Sequence, residues 1–310
     1  MVLKPSSERA LRTAIEVVED LGLRFADAIV LRDQSNLLVH FRPAPVVARI
    51  ATGTLKVRQG SAWLGRELAV ADHLSAAGAP VVSPSRELPP GPHSRGGFVM
   101  TLWEYVNELD EPVDPSLAGR TLRACHEALD GFEGDLPLLG VLEETAAILS
   151  VLSEDGTLSS ADSGMLQRTS ERSFRRIETS GLQMKPVHGD ANLTNALNTP
   201  SGPVWTDWED TFEGPREWDL ACLVARSRVL GEGVGRAEEA LAAYDGDVED
   251  QVLDQLVEAR ALQVAVWMAL GSLSLSAEDS RLEERLAWLR ARDAAAARET
   301  GERGADGDDE

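Results

Sequence analysis

The chain has 310 residues, and 30 basic against 52 acidic side chains leave it a formal charge of −22. A surface this acidic speaks against sequence-independent binding to nucleic-acid phosphates or anionic lipid, and its simplest consequence is self-repulsion that keeps the chain dispersed. With 43% hydrophobic residues it can bury a sizeable core, and its length suits one large domain or two lobes.

In chain order, Leu11, Ile15 and Val18 recur at helical spacing ahead of Gly22, so residues 6–21 read as a helix. Three short strands follow, at 28–31, 37–41 and 46–50, the first two joined by a polar turn at 32–36 and the last two parted by Pro43 and Pro45. Tight connections make them an antiparallel meander. Trp63, Leu64, Leu68, Ala71 and Leu74 then share one face of a helix over 61–76, stopped by Gly78 and Pro80. A strand pair is expected at 81–83 and 97–103, with the proline-rich 89–92 as its loop. Asp114 followed by Pro115 is a cap and a first helical position, and helices are expected at 115–130, 138–153 and 163–180. The strand signal returns at 184–187 and 203–207, and the chain is helical again from 216 to 298. The fold class is therefore α+β, with a β-rich lobe over 1–104, a helical lobe over 105–298 and a disordered acidic tail over 299–310.

The two cysteines, Cys125 and Cys222, stand far apart without a CxxC, so neither a disulfide framework nor a zinc site is expected and a reducing cytoplasm is the default location. Charges at Glu8, Arg9, Arg12 and Glu16 break any apolar signal core, and no stretch of about 18 uncharged apolar residues is available to span a membrane.

Polar side chains cluster abruptly after 187. The run His188-Gly189-Asp190-Ala191-Asn192-Leu193-Thr194-Asn195 follows one short apolar strand, and Thr206-Asp207-Trp208-Glu209-Asp210 follows another. A hairpin carrying these turns can bring an Asp, an Asn and a second Asp to one point. Attack of a hydroxyl on a phosphate needs a carboxylate that orients it and accepts its proton, and Asp190 suits that role. The phosphates need a hard cation, and magnesium keeps several waters, so Asn195 and Asp207 suffice to hold it.

The pattern H-G-D-x-x-x-x-N over 188–195, followed by D-W-E at 207–209, resembles the aminoglycoside phosphotransferase family, small-molecule kinases with a bilobal protein-kinase-like fold. The run Gly214-Pro215-Arg216-Glu217-Trp218-Asp219-Leu220-Ala221 is similar to that family's downstream G-P-x-x-x-D-L-A element. The resemblance implies a phosphotransferase that moves the γ-phosphate of ATP or GTP, with Mg2+, to a hydroxyl of a small polar molecule. It implies that Arg49, on the third strand, grips the nucleotide phosphates and is fixed by Glu67; protein kinases carry Lys at this position, and Arg holds phosphate bidentately. No G-x-G-x-x-G is present, so Ser35 and Asn36 are left to cover the phosphates, and the segment Glu104 to Val106 is expected to meet the purine edge. The resemblance further implies that His188 braces the catalytic loop and that Asp219, otherwise a helix cap, anchors it from behind. Glu209 is a candidate for metal or acceptor, and Glu213 and Glu217 offer acidic walls to a cationic acceptor such as an aminoglycoside or amino sugar. No nucleic acid, membrane or obligate protein partner is expected. The competing readings are a non-catalytic nucleotide-binding protein, a kinase of a neutral sugar or alcohol, and a hydrolase built on His188, Asp190 and Asp207, which lacks a second His ligand.

Overall fold

The structure, a computed structural model, describes residues 3–53, 58, 60–246, 248–271 and 278–305. In chain order the elements begin α1 (Pro5–Asp20), β1 (Asp27–Asp33), β2 (Asn36–Arg42), β3 (Val46–Ala51), α2 (Ala62–Ala76), β4 (His93–Arg95), β5 (Phe98–Glu104) and α3 (Pro115–Leu129). They continue with α4 (Gly140–Glu154), α5 (Ser160–Thr179), β6 (Met184–Val187), β7 (Ala196–Thr199), β8 (Gly202–Trp205) and β9 (Phe212–Pro215). The last four are α6 (Glu217–Leu230), α7 (Val234–Tyr244), α8 (Asp250–Gly271) and α9 (Glu278–Ala305).

Two compact units emerge. The first joins 1–136 to 194–211, and the second joins 137–193 to 212–310. The expectation divided the chain at 104; the contacts instead place 105–136 and 194–211 with the sheet. The reason is long-range pairing: the Leu109 N–H donates to Asn198 O at 2.8 Å, the Val82 N–H to Trp205 O at 2.9 Å, and Trp205 Nε1 to Thr121 Oγ1 at 3.1 Å.

The first unit is built on an antiparallel sheet of order β1-β2-β3-β5-β4. Alternation decides its faces. Leu37, Val39 and Phe41 of β2 and Val46, Ala48 and Ile50 of β3 enter a core closed by Ala10, Ala14, Val17 and Val18 of α1. Arg49, between two core residues, is thereby aimed at the opposite face. The polar turn between β1 and β2 is shorter than expected, only Gln34 and Ser35, because both strands run further. Residues 81–83 form no strand; β5 pairs with β4 instead. Pro80 and Pro84 flank that segment, and proline has no N–H for a ladder, so Val81 and Pro84 make only isolated bridges, to Trp205 and Trp103.

In the second unit α8 is the hub, packed against α4, α5, α6 and α9. Its Glu258 is 2% exposed and accepts from Arg172 at 2.5 Å and Arg176 at 2.8 Å, tying α5 to the hub. The strands at 184–187 and 202–205 do not pair with each other: β6 pairs with β9, and β7 with β8. The tail expected to be disordered from 299 is helical as far as Ala305, where α9 ends, and residues 306–310 lie outside the described ones. No helix among the described residues is long and apolar enough to cross a membrane.

Candidate active site

In the first unit the polar chemistry converges on Arg49. Its Nη1 donates to Glu67 Oε2 at 2.7 Å, and its Nη2 lies 2.5 Å from Asp207 Oδ1 and 2.8 Å from Glu209 Oε2. Glu67 comes from the first turn and a half of α2, on the helix face that also buries Trp63, Leu64 and Leu68. Asp207 sits in the left-handed backbone region, φ 69°, a conformation costly for most side-chain-bearing residues that the ion pair to Arg49 helps to hold. Arg58 continues the cluster: its Nη2 is 2.5 Å from Asp210 Oδ1, its Nη1 is 3.9 Å from Glu209 Oε1, and its guanidinium lies over the Trp63 ring.

Among the described residues, the four carboxyl groups named here outnumber the two guanidiniums they share, an excess of two acids. Burial pushes the Glu67 carboxyl up to about 8 and Glu209 up to about 7, with Arg49 pulling each the other way. Burial alone would lower Arg49, but Glu209, Glu67 and Asp207 outweigh it and keep the guanidinium charged. Protons on Glu67 and Glu209, or an added cation, can balance such an excess. Among the described residues no three His, Cys, Asp or Glu side chains form a metal cage. Asn195 closes a short turn, and its carbonyl accepts the Thr206 N–H at 3.0 Å, one residue before Asp207. A hard amide oxygen and a carboxylate fit magnesium, which completes its shell with water and phosphate, and do not fit zinc.

Arg49 and Thr206 also line a pocket of the same unit. Leu31, Leu38, Val47, Val82 and Leu197 give it apolar walls, and Glu104, Tyr105 and Val106 form one rim. The rim is anchored by neighbours: the Tyr105 N–H donates to Pro45 O at 2.8 Å, and the ring stacks on His40 at 3.8 Å. Among the described residues the Val106 N–H has no acceptor. Arg32 and Glu108 close a bidentate pair on the same pocket, at 2.8 and 2.9 Å. The β1–β2 turn is tied down by Ser35 O, which accepts from the Gly53 N–H at 2.8 Å and Thr52 Oγ1 at 3.1 Å. A Cβ at Gly53 would stand 3.1 Å from that oxygen, so glycine permits the approach. Asn36 Oδ1, just past the turn, is buried and has no partner among the described residues.

The second unit holds the loop 188–193. Gly189 has φ 88°, which glycine adopts freely. Asp219, fully buried on α6, accepts the His188 N–H at 2.7 Å on one oxygen and the Gly189 N–H at 2.9 Å on the other. Trp218 Nε1 donates to Gly189 O at 2.9 Å, and His188 Nδ1 takes the Asp190 N–H at 3.2 Å. Asp190 itself is a quarter exposed, accepts from Asn192 Nδ2 at 3.0 Å and is ion-paired with Arg260 of α8.

Of the acids considered for an acceptor, Glu209 is buried against Arg49, Glu213 is exposed on β9, and Glu217 opens α6. Sequence reasoning missed Arg58 and Arg260. Neither lies in a motif, and their partners are 152 and 70 residues away in the chain.

The model of the phosphotransferase enzyme family, APH, matches residues 30–256. Among solved structures, an amicoumacin kinase, hAmiN, in complex with AMP-PNP, Ca2+ and Ami, has a TM-score of 0.72 at 13% identity, covering 93% of this chain and 96% of that one. The choline kinase LicA from Streptococcus pneumoniae has a TM-score of 0.67 at 14% identity over 90% and 99%. A microcompartment-associated aminopropanol kinase has 0.64 at 18% over 93% and 98%. At such identities the likeness is one of fold. No protein of curated function matches in sequence.

Proposed function

The chain belongs to the phosphotransferase enzyme family, and from that membership we propose that it moves the terminal phosphoryl group of ATP to a hydroxyl of a small polar molecule, with magnesium. The observation that carries this reading is Arg49, which lines the apolar-walled pocket and is bound to Glu67 and Asp207. A pocket with apolar walls and an open Val106 N–H suits a purine, and an always-charged guanidinium on its wall suits the attached phosphates. Glu67 fixes Arg49 in place. Asp207 and Asn195 hold the metal, which neutralises phosphate charge when bound. Asp190 orients the acceptor hydroxyl and takes its proton, while Asp219 and His188 keep the loop in shape. Catalysis of this kind is mostly positioning and charge neutralisation.

Calorimetric titration with ATP, with and without magnesium, tests the reading. The wild-type chain should bind ATP more tightly with magnesium, and Asp207→Ala should lose that difference. Binding indifferent to magnesium in the wild type, or an unchanged magnesium effect in the variant, would remove the acidic turn from the nucleotide site.

A further inference from the structure

Arg32 reaches the pocket wall through an irregularity in β1. Val30 lies opposite Val39 and packs against the core that α1 closes. Regular alternation would return Arg32, two residues on, to that same face. The register shifts between Val30 and Arg32 instead, so Arg32 comes to lie opposite Leu38, a residue that lines the pocket. Bulges re-aim side chains in this way. Glu108 is set in place by its backbone. Its own N–H donates to Val106 O at 3.1 Å, the Leu109 N–H donates to Asn198 O at 2.8 Å, and Asn198 Nδ2 donates to Glu111 O at 2.9 Å. Arg32 Nη2 then meets both Glu108 oxygens, at 2.8 and 2.9 Å, across 76 residues of chain. Among the described residues each is the other's only ion-pair partner. An exposed ion pair contributes little to stability, so stability is a weak reason to build one on a pocket wall.

Resting on the phosphotransferase reading above, we propose that Arg32 and Glu108 form a ribose clamp: Glu108 accepts the vicinal hydroxyls of the nucleotide's sugar, and Arg32 holds the carboxylate in place for them. The two ends of the pocket fix its middle. In that reading the rim at 104–106 meets the purine and Arg49 meets the phosphates, and the ribose, which joins base to phosphates, lies between them. Glu108 stands two residues beyond Val106 of the rim. Arg32 lies opposite Leu38, which in turn lies opposite Arg49 on β3. The pair thus runs from the rim toward the row of the sheet that carries Arg49. Its chemistry suits a diol. A carboxylate only accepts, hydroxyls donate, and one guanidinium nitrogen shared between the two Glu108 oxygens leaves lone pairs open on both. The Glu108 side chain is 45% exposed, so a ligand can reach it. Arg32 acts through Glu108 and is a positioning residue. The clamp makes the chain select ribonucleotides over their deoxy forms.

The test is calorimetric titration of the full chain, in the presence of magnesium, with ADP, 2′-deoxy-ADP and 3′-deoxy-ADP. The wild type should bind ADP about fivefold or more tightly than the weaker of the two deoxy forms, less than a hydrogen bond to a buried charge would give because Glu108 is half-exposed. Glu108→Ala should bring all three within about twofold of one another. Arg32→Met should give an intermediate discrimination, and Arg32→Lys one closer to the wild type, with thermal melts confirming that each variant folds. Equal binding of the three by the wild type, or a discrimination undiminished in Glu108→Ala, would overturn the clamp. An Arg32→Met chain that weakens ADP and both deoxy forms alike would make Arg32 a phosphate contact and overturn its positioning role. The titration separates the two ideas: a wild-type chain that binds nucleotide without discrimination refutes the clamp alone, and one that binds no nucleotide refutes the phosphotransferase reading beneath it.

Discussion

Arg49 shows how one side chain can serve fold and chemistry together. It is 7% exposed and holds three carboxylates contributed by α2 and by the acidic turn after β8. Removing one partner of a buried ionic cluster usually costs about 3–5 kcal/mol, because the groups left behind stay desolvated and unpaired. Arg49→Met should therefore lower the unfolding free energy read from urea titration by that scale, moderated because Glu67 and Glu209 can take up protons as their burial already favours. Arg49→Lys should recover part of the stability and less of the ATP affinity, since an ammonium is a point charge without the bidentate fork. An Arg49→Met chain as stable as the wild type would mean the cluster is not a structural element of the unit.

At the scale of elements, α5 and α9 illustrate a pH-dependent tie. Ser159 caps α5, its Oγ accepting the Asp162 N–H at 3.1 Å, and Asp162 Oδ1 takes Arg290 of α9 at 2.8 Å. Arg290 first, and Ser159 with it, hold the Asp162 carboxyl below its ordinary value, against a smaller upward push from burial. A carboxylate depressed on folding contributes stability above its unfolded pKa of about 4, and loses it as pH falls through the lower folded value. Acid titration of the urea midpoint should show this loss below about pH 4, and Asp162→Asn should flatten that limb. Arg290 is 41% exposed, so the contribution is small, within about 1 kcal/mol. An acid limb identical in the variant would assign the loss to other carboxylates.

Elements whose partners are near in sequence are legible from the residues alone. Period-two alternation in β2 and β3 reveals the meander, and the 3.6-residue stripe of Trp63, Leu64, Leu68 and Leu74 reveals α2. The motif residues of the loop over 188–195 are legible by type and spacing. What stays hidden depends on distant partners. Nothing local tells that β6 pairs with β9 while β7 pairs with β8, or that Pro80 and Pro84 hand the edge position to β4. Arg260 is an ordinary helical Arg until α8 brings it to Asp190.

At the scale of the molecule, each compact unit is assembled from two stretches of chain. A cut after residue 136 would strip the first unit of β7, β8 and the turn bearing Asp207 and Glu209. It would leave the buried Arg49 with Glu67 as one of its three carboxylate partners. A 1–136 fragment should therefore show no cooperative thermal transition, whereas the full chain should; a fragment that melts cooperatively would contradict the assignment of 194–211 to that unit.

The central claim is that Asp190 serves phosphoryl transfer from ATP. The most direct measurement follows γ-labelled phosphate from magnesium–ATP into hydroxyl acceptors, comparing the wild-type chain with Asp190→Asn. Loss of a general base usually costs 10²–10⁴-fold, on the order of the drop expected in turnover here, while the ATP affinity of the variant stays near that of the wild type. Turnover retained within about threefold of the wild type, far less than removal of a base should cost, or no label transferred by the wild type to any hydroxyl acceptor, would contradict the account.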